Sequence, residues 1–144
     1  GADKNIYAYD LDTGSSTLVC DTSGLSDPWA AVSGLLVSNN GYLYFHENTF
    51  PAVNIYRVQL TDTWPAAYEE LNTSCKGSVY VLTQNPWTDA IWFASADLGT
   101  NTMYLYEVDS EFAGVTQRAF FTAPNSGGNG PIIFKGATTL LYGE

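Results

Sequence analysis

Apolar and polar positions alternate along this chain in short bursts. Runs such as Asn5-Ile6-Tyr7-Ala8-Tyr9-Asp10-Leu11 and Gly41-Tyr42-Leu43-Tyr44-Phe45 are bounded by clusters of Gly, Pro, Asn, Asp and Ser. In the first run Tyr7, Tyr9 and Leu11 fall on one face of an extended strand, and these three read as packing residues. No segment sustains the spacing that an amphipathic helix requires. The connections, Ser38-Asn39-Asn40-Gly41, Gln84-Asn85-Pro86-Trp87 and Asp97-Leu98-Gly99-Thr100-Asn101, are turn material. The pattern predicts an all-β protein of many short strands.

The strands repeat. Asn5-Ile6-Tyr7-Ala8-Tyr9-Asp10-Leu11 lines up with Asn54-Ile55-Tyr56-Arg57-Val58-Gln59-Leu60 and with Thr102-Met103-Tyr104-Leu105-Tyr106-Glu107-Val108, which places Tyr7, Tyr56 and Tyr104 at 49- and 48-residue intervals. A second motif, Gly41-Tyr42-Leu43-Tyr44-Phe45, returns as Asp89-Ala90-Ile91-Trp92-Phe93 and Thr138-Thr139-Leu140-Leu141-Tyr142 at intervals of 48 and 49. Two independent motifs thus share one period, and three periods of 48 account for all 144 residues. The complete copy holds four strands, at 77–82, 90–94, 103–108 and 115–121.

Four strands in a repeat of about 40–50 residues is the pattern of a β-propeller blade. The segment Ile6-Tyr7-Ala8-Tyr9-Asp10-Leu11-Asp12-Thr13-Gly14-Ser15-Ser16-Thr17-Leu18-Val19 resembles the closing hairpin of bacterial propeller repeats of the TolB-type and lactonase-like families. The resemblance implies four-stranded antiparallel blades with strands A to D running outward from an axis. In that frame the chain reads CD-ABCD-ABCD-AB: repeats at roughly 25–74 and 75–124, and a blade split between 125–144 and 1–24. The whole of 1–144 is then one half-propeller domain. Three blades fall short of the usual ring of about four to eight. The simplest closure is a homodimer, in which two chains form a six-bladed ring and each C-terminal A-B pair completes the partner's C-D pair. An excised half of a longer propeller is the rival.

Composition narrows the partners. The net charge is −10, with only five Lys and Arg, so a nucleic-acid backbone is repelled. No apolar run approaches the ~20 residues of a membrane span. The opening Gly1-Ala2-Asp3-Lys4 suggests a processed or engineered start, and an exported protein (periplasmic, extracellular or on the cell surface) is the expectation. Cys20 and Cys75 are too far apart for C-x-x-C chemistry; they read as a single bridge or as two buried thiols.

Several motifs compete for chemistry. Asp12-Thr13-Gly14 resembles the catalytic loop of aspartic proteases, but that site needs two carboxylates sharing a proton. Only eleven residues precede Asp12, and the repeat aligns it with the turn residues Thr61 and Asp109, so the likeness reads as fortuitous. No nucleophile–base pair stands out, so no catalytic residue is assigned. The B-to-C and D-to-A connections share the face that forms the functional mouth in propellers. On it Trp29, His46, Glu47 and Asp97 are the candidate ligand-binding residues, and Asp3, Glu47, Asp97 and Glu144 the candidate ligands for a cation such as calcium. On the opposite face, Trp64, Trp87 and Phe112 read as packing aromatics.

The leading expectation is a non-enzymatic binding module for a carbohydrate or protein. The alternatives are a cation-dependent hydrolase, lactonase or glycan-acting enzyme at the acidic mouth, and a purely architectural assembly module.

Overall fold

The computed structural model describes residues 4–25, 32–47, 54–61, 63–73, 75, 77–97, 99–122 and 132–142. Twelve strands form among them: β1 (Ile6–Tyr9), β2 (Ser16–Cys20), β3 (Val32–Val37), β4 (Tyr42–Glu47), β5 (Asn54–Gln59), β6 (Tyr68–Asn72), β7 (Ser78–Gln84), β8 (Ile91–Asp97), β9 (Thr102–Val108), β10 (Val115–Thr122), β11 (Ile132–Gly136) and β12 (Thr139–Tyr142). No helix occurs among the described residues.

The strands pair as the repeat requires. Two antiparallel four-stranded meanders, β3-β4-β5-β6 and β7-β8-β9-β10, are flanked by two-stranded hairpins, β1-β2 and β11-β12. Three apolar layers join them. Ile6, Val19 and Cys20 of the first hairpin pack with Leu43, Phe45, Tyr56 and Val58 of the first meander. Tyr44, Ile55 and Leu71 of that meander pack with Leu82, Phe93 and Tyr106 of the next. Ala94, Met103 and Leu105 on the far side of the second meander pack with Ile132. The chain is therefore a face-to-face stack: hairpin, sheet, sheet, hairpin. The inner strands β4, β5, β8 and β9 are buried on both faces and read as near-continuously apolar, whereas the outer strand β10 is largely exposed.

The stacking unit recurs as an aromatic pair. Phe45 stacks on Tyr56 across β4 and β5, with ring centroids 5.2 Å apart at 17°. Phe93 stacks on Tyr106 across β8 and β9, at 5.1 Å and 18°. This equivalence corrects the sequence alignment by two residues, since Tyr56 corresponds to Tyr106 rather than to Tyr104. The hairpin between Phe93 and Tyr106 is longer than that between Phe45 and Tyr56 because β8 and β9 each run two residues further past the stacked pair, while their connection spans four residues rather than six. A shift of two preserves the face, so the alternation concealed it.

The turns follow the same correction. Asp10 accepts N–H bonds from Asp12 (2.8 Å) and Thr13 (3.0 Å), and its own N–H reaches Ser15 O. These bonds hold the Asp10 carboxyl below the usual carboxylate range. Asp109 does the same, accepting from Glu111 N–H at 2.8 Å while its N–H reaches Gly114 O. The organising turn residue is thus Asp10, with Gly14 at φ +69°. Asp12 is an exposed member of that hairpin.

At the turn end of the stack, polar groups tie the two meanders together. Arg57 lies over the rings of Tyr42 and Phe112, 4.4 Å from each centroid, and pairs with Glu69 at 2.8 Å. Asn39 donates to Gln84 Oε1 (3.1 Å) and Asp89 Oδ1 (3.0 Å). Phe112 is buried, as expected of a packing aromatic, whereas Trp64 and Trp87 are exposed.

Tyr7, Tyr9 and Leu11 also depart from expectation. Tyr56 and Tyr106 are 1% and 5% exposed, but Tyr7 is 49% exposed, and Tyr9 and Leu11 are more exposed still. The positions match; what differs is the neighbour. The β1-β2 hairpin is covered on one face only, so its aromatic face meets solvent.

Candidate functional site

The only buried charge pair among the described residues lies where β4 ends against the start of the β1-β2 hairpin. Strand alternation puts Glu47 on the same face as Phe45, toward that hairpin. There Glu47 Oε2 accepts the Tyr56 hydroxyl at 3.0 Å, and Oε1 lies 3.8 Å from Lys4 Nζ. The Lys4 and Glu47 side chains are 9% and 3% exposed.

Lys4 is held from behind. Thr22, fully buried, donates its N–H to Asn5 Oδ1 at 3.0 Å and its hydroxyl to Lys4 O. The backbone at Lys4 is thereby clamped to the end of β2, and the side chain points at β4. A pair at 3.8 Å is a Coulombic contact rather than a hydrogen bond. Neither Lys4 Nζ nor Glu47 Oε1 has a hydrogen-bond partner among the described residues. A donor and an acceptor thus stand side by side in a dry setting, where each interaction is electrostatically strong.

Tyr56 completes the arrangement. Its ring stacks on Phe45 and meets Tyr68 edge-on, with centroids 5.6 Å apart at 85°. Burial is the main cause that raises its phenol well above the ordinary tyrosine range, so it remains a proton donor to Glu47.

His46 and Glu47 are neighbours in sequence, but alternation separates them. His46 lies on the other face of β4, buried against Gly34, with Nδ1 3.2 Å from Glu47 O. Gly34 has φ +63°, and a Cβ there would lie 2.4 Å from His46 Nε2. The irregular pairing between Ser33 and Leu36 is what admits the ring. Burial lowers the His46 pKa below the usual histidine value. Asp97 accepts the Gly99 N–H at 2.9 Å and so braces its own hairpin.

Of the residues singled out from sequence, the structure therefore gives Glu47 a paired partner and assigns His46 and Asp97 to other surroundings. Asp3, Trp29 and Glu144 lie outside the described residues. Among the described residues no three His, Cys, Asp or Glu side chains gather as a metal site. Cys20 is buried, Cys75 half-buried, both thiols are free, and burial raises both pKa values.

Sequence reasoning missed Lys4 and Tyr56. Tyr56 stands out in the sequence only as a residue of the repeated strand motif. Lys4 carried one signal: it is one of five cations in a strongly acidic chain and immediately precedes the first strand motif.

The second meander shows what is particular to the first. With Phe45 matched to Phe93, His46 and Glu47 correspond to Ala94 and Ser95, both fully buried. The fold thus accommodates small residues at these positions, and the charged pair is an addition to one sheet. No protein-family model matches the chain, and neither curated proteins nor solved structures include a significant match.

Proposed function

We propose that this chain is half of a β-propeller, exported, and that it acts as a non-enzymatic binding module. Its ligand engages the blade end marked by His46, Glu47 and Asp97, at the Lys4–Glu47–Tyr56 cluster. The observation that carries this reading is the buried pair itself. Among the described residues Lys4 Nζ and Glu47 Oε1 keep unused donor and acceptor capacity 3.8 Å apart, where the next repeat carries only Ser95. A ligand hydroxyl can accept from an ammonium and donate to a carboxylate at once, so a hydroxyl-rich ligand such as a carbohydrate fits the pair. Tyr68, half-buried and edge-on to Phe45 and Tyr56, adds aromatic surface beside it.

The ring reading draws support from the split sheet, since two complete meanders are bracketed by two half-sheets. Two chains then contribute three blade-equivalents each.

The binding reading is tested by thermal shift with a panel of neutral oligosaccharides on wild type, Glu47→Gln and Lys4→Met. At least one sugar is expected to raise Tm in wild type and in neither variant. A panel with no effect, or a shift that survives Glu47→Gln, contradicts the assignment. Stabilisation by calcium alone moves the reading to a cation-dependent site.

A further inference from the structure

The two hairpins at the ends of the stack expose complementary surfaces. On the β1-β2 side, Ala8, Leu35, Val37, Leu43, Leu60 and Trp64 line an open apolar hollow of about 320 Å³. Leu35 is 58% exposed there, and Val37 is comparably exposed. On the β11-β12 side, Ile133 and Leu141 pair across the hairpin and project together from the face turned away from the second meander, more than half exposed. Exposed apolar groups gathered on two faces mark an interface rather than scattered surface residues. Both strands of each hairpin have a neighbour-less edge among the described strands; β1 and β12 are the ones that a C strand and a B strand would pair through.

The complete sheets specify what belongs in the hollow. Leu82 holds in β7 the place that Leu35 holds in β3, one residue before the partner of the Trp92 or Tyr44 position. Leu82 is buried because the A and B strands of the preceding sheet lie over it, with Tyr44 in the same apolar layer. Leu35 lacks that cover, because the preceding sheet in this chain consists of β1 and β2 alone. The missing strands are an A-B pair, and the A-B pair without a C-D partner is β11-β12.

We infer that β12 of a second copy of this chain adds to β1, seating Leu141 and Ile133 on Leu35, Val37 and Leu43. This inference rests on the half-propeller reading and names the strands, faces and register that close the ring. The register follows from β4 and β5, where Leu43 pairs with Val58, Tyr44 with Arg57 and Phe45 with Tyr56. Carried to the split sheet, Leu140 lies opposite Tyr9, Leu141 opposite Ala8 and Tyr142 opposite Tyr7. Leu141 and Ala8 then face the hollow, as Tyr44 and Arg57 face the second meander.

The occupant is a second copy because the geometry and the charge both suit it. The two half-sheets sit at opposite ends of the stack, one on the first meander and one on the second. None of the facing side chains (Ala8, Leu35, Val37, Leu43, Ile133, Leu141) is charged, so the −10 of each chain is kept off the junction. Strand addition also satisfies the backbone groups of two exposed edges at once. A closed pair forms the junction twice, which doubles the area buried toward the roughly 1,200–2,000 Å² of a stable interface.

Charge exchange across the junction tests this by light scattering. Wild type is expected near twice the chain mass of 15.7 kDa. Leu35→Lys alone and Leu141→Glu alone are each expected at the single-chain mass with unchanged circular dichroism, since both residues are exposed within one chain. An equimolar mixture of the two variants is expected to return to the double mass, with one junction Lys-to-Glu and the other wild type. Phe120→Lys, at an equally exposed aromatic elsewhere, leaves the mass unchanged. A wild-type monomer overturns both the junction and the ring. A wild-type dimer indifferent to Leu141→Glu overturns the junction and leaves the ring. A larger assembly that Leu141→Glu dissolves supports the strand junction and overturns two-chain closure. A mixture that stays at single mass overturns the register.

Discussion

Tyr56 in β5 and Tyr7 in β1 occupy equivalent places in the same strand motif, yet one is buried and the other half exposed. The flanking letters barely differ: Asn54-Ile55-Tyr56 against Asn5-Ile6-Tyr7. What differs is the number of sheets around each strand. Strand β5 is covered on both faces, whereas the β1-β2 hairpin has a neighbour on one. An apolar alternation in a stacked repeat therefore specifies a surface fit for burial, and the adjoining repeat decides whether burial occurs. The same comparison explains why the chain exposes large apolar groups in clusters at its ends.

The sharpest contrast is in the stacked aromatics. Phe93→Ala removes a fully buried ring from the layer between the two meanders, and a cost of about 3–5 kcal/mol is expected in urea denaturation. Tyr7→Ala, measured at a concentration where the chain is dissociated, is expected to change stability by less than about 0.5 kcal/mol. Equal costs at the two sites would break the comparison.

A second contrast separates the two complete sheets from each other. Glu47→Ala leaves Lys4 buried without its counter-charge, and a loss of about 3 kcal/mol is expected. Ser95→Ala, at the matching place in the second sheet, is expected to cost no more than about 1 kcal/mol. Gly34 and Gly41 extend the contrast to the backbone. Both have positive φ, but a side chain at Gly34 meets the His46 ring whereas Gly41 opens onto free space. Gly41→Ala is expected to cost about 1 kcal/mol from conformation alone, and Gly34→Ala at least about twice that. Chemical denaturation of the pair reads the difference directly.

The smallest expected effect is a pH dependence centred on His46. Burial lowers its pKa in the folded state, so the unfolded chain binds the proton more readily. Stability is therefore fully present above the ordinary histidine value and declines as pH falls below it. Urea midpoints at pH 7.5 and 5.5 are expected to show this decline in wild type and a reduced one in His46→Gln. The second sheet, with Ala94 at that place, contributes nothing to it.

Most of the sheet architecture was legible because it depends on local pattern. The four-stranded sheets and the hairpins that flank them follow from turn chemistry and alternation, and the strands form where those signals lie. The two-residue offset of Tyr106 was not legible, because a shift of two leaves every side chain on its own face. The charged pair was half legible. Glu47 stood out as an acid in an apolar strand, but its partner Lys4 lies forty-three residues away in sequence and is placed by Thr22, whose role depends on tertiary structure. His46 shows the converse: adjacency in sequence suggested one site with Glu47, and strand alternation divides them.

The account's central claim is that β1 is an ordinary inner strand whose neighbour lies on another chain. Hydrogen–deuterium exchange of the peptide covering residues 4–11, followed across chain concentrations, tests it most directly. β1 is expected to exchange fast in dilute solution, and to gain protection approaching that of β5 and β9 as the chain associates, with residues 138–144 protected in parallel. Fast exchange of β1 at every concentration, while β5 and β9 stay protected, would contradict it.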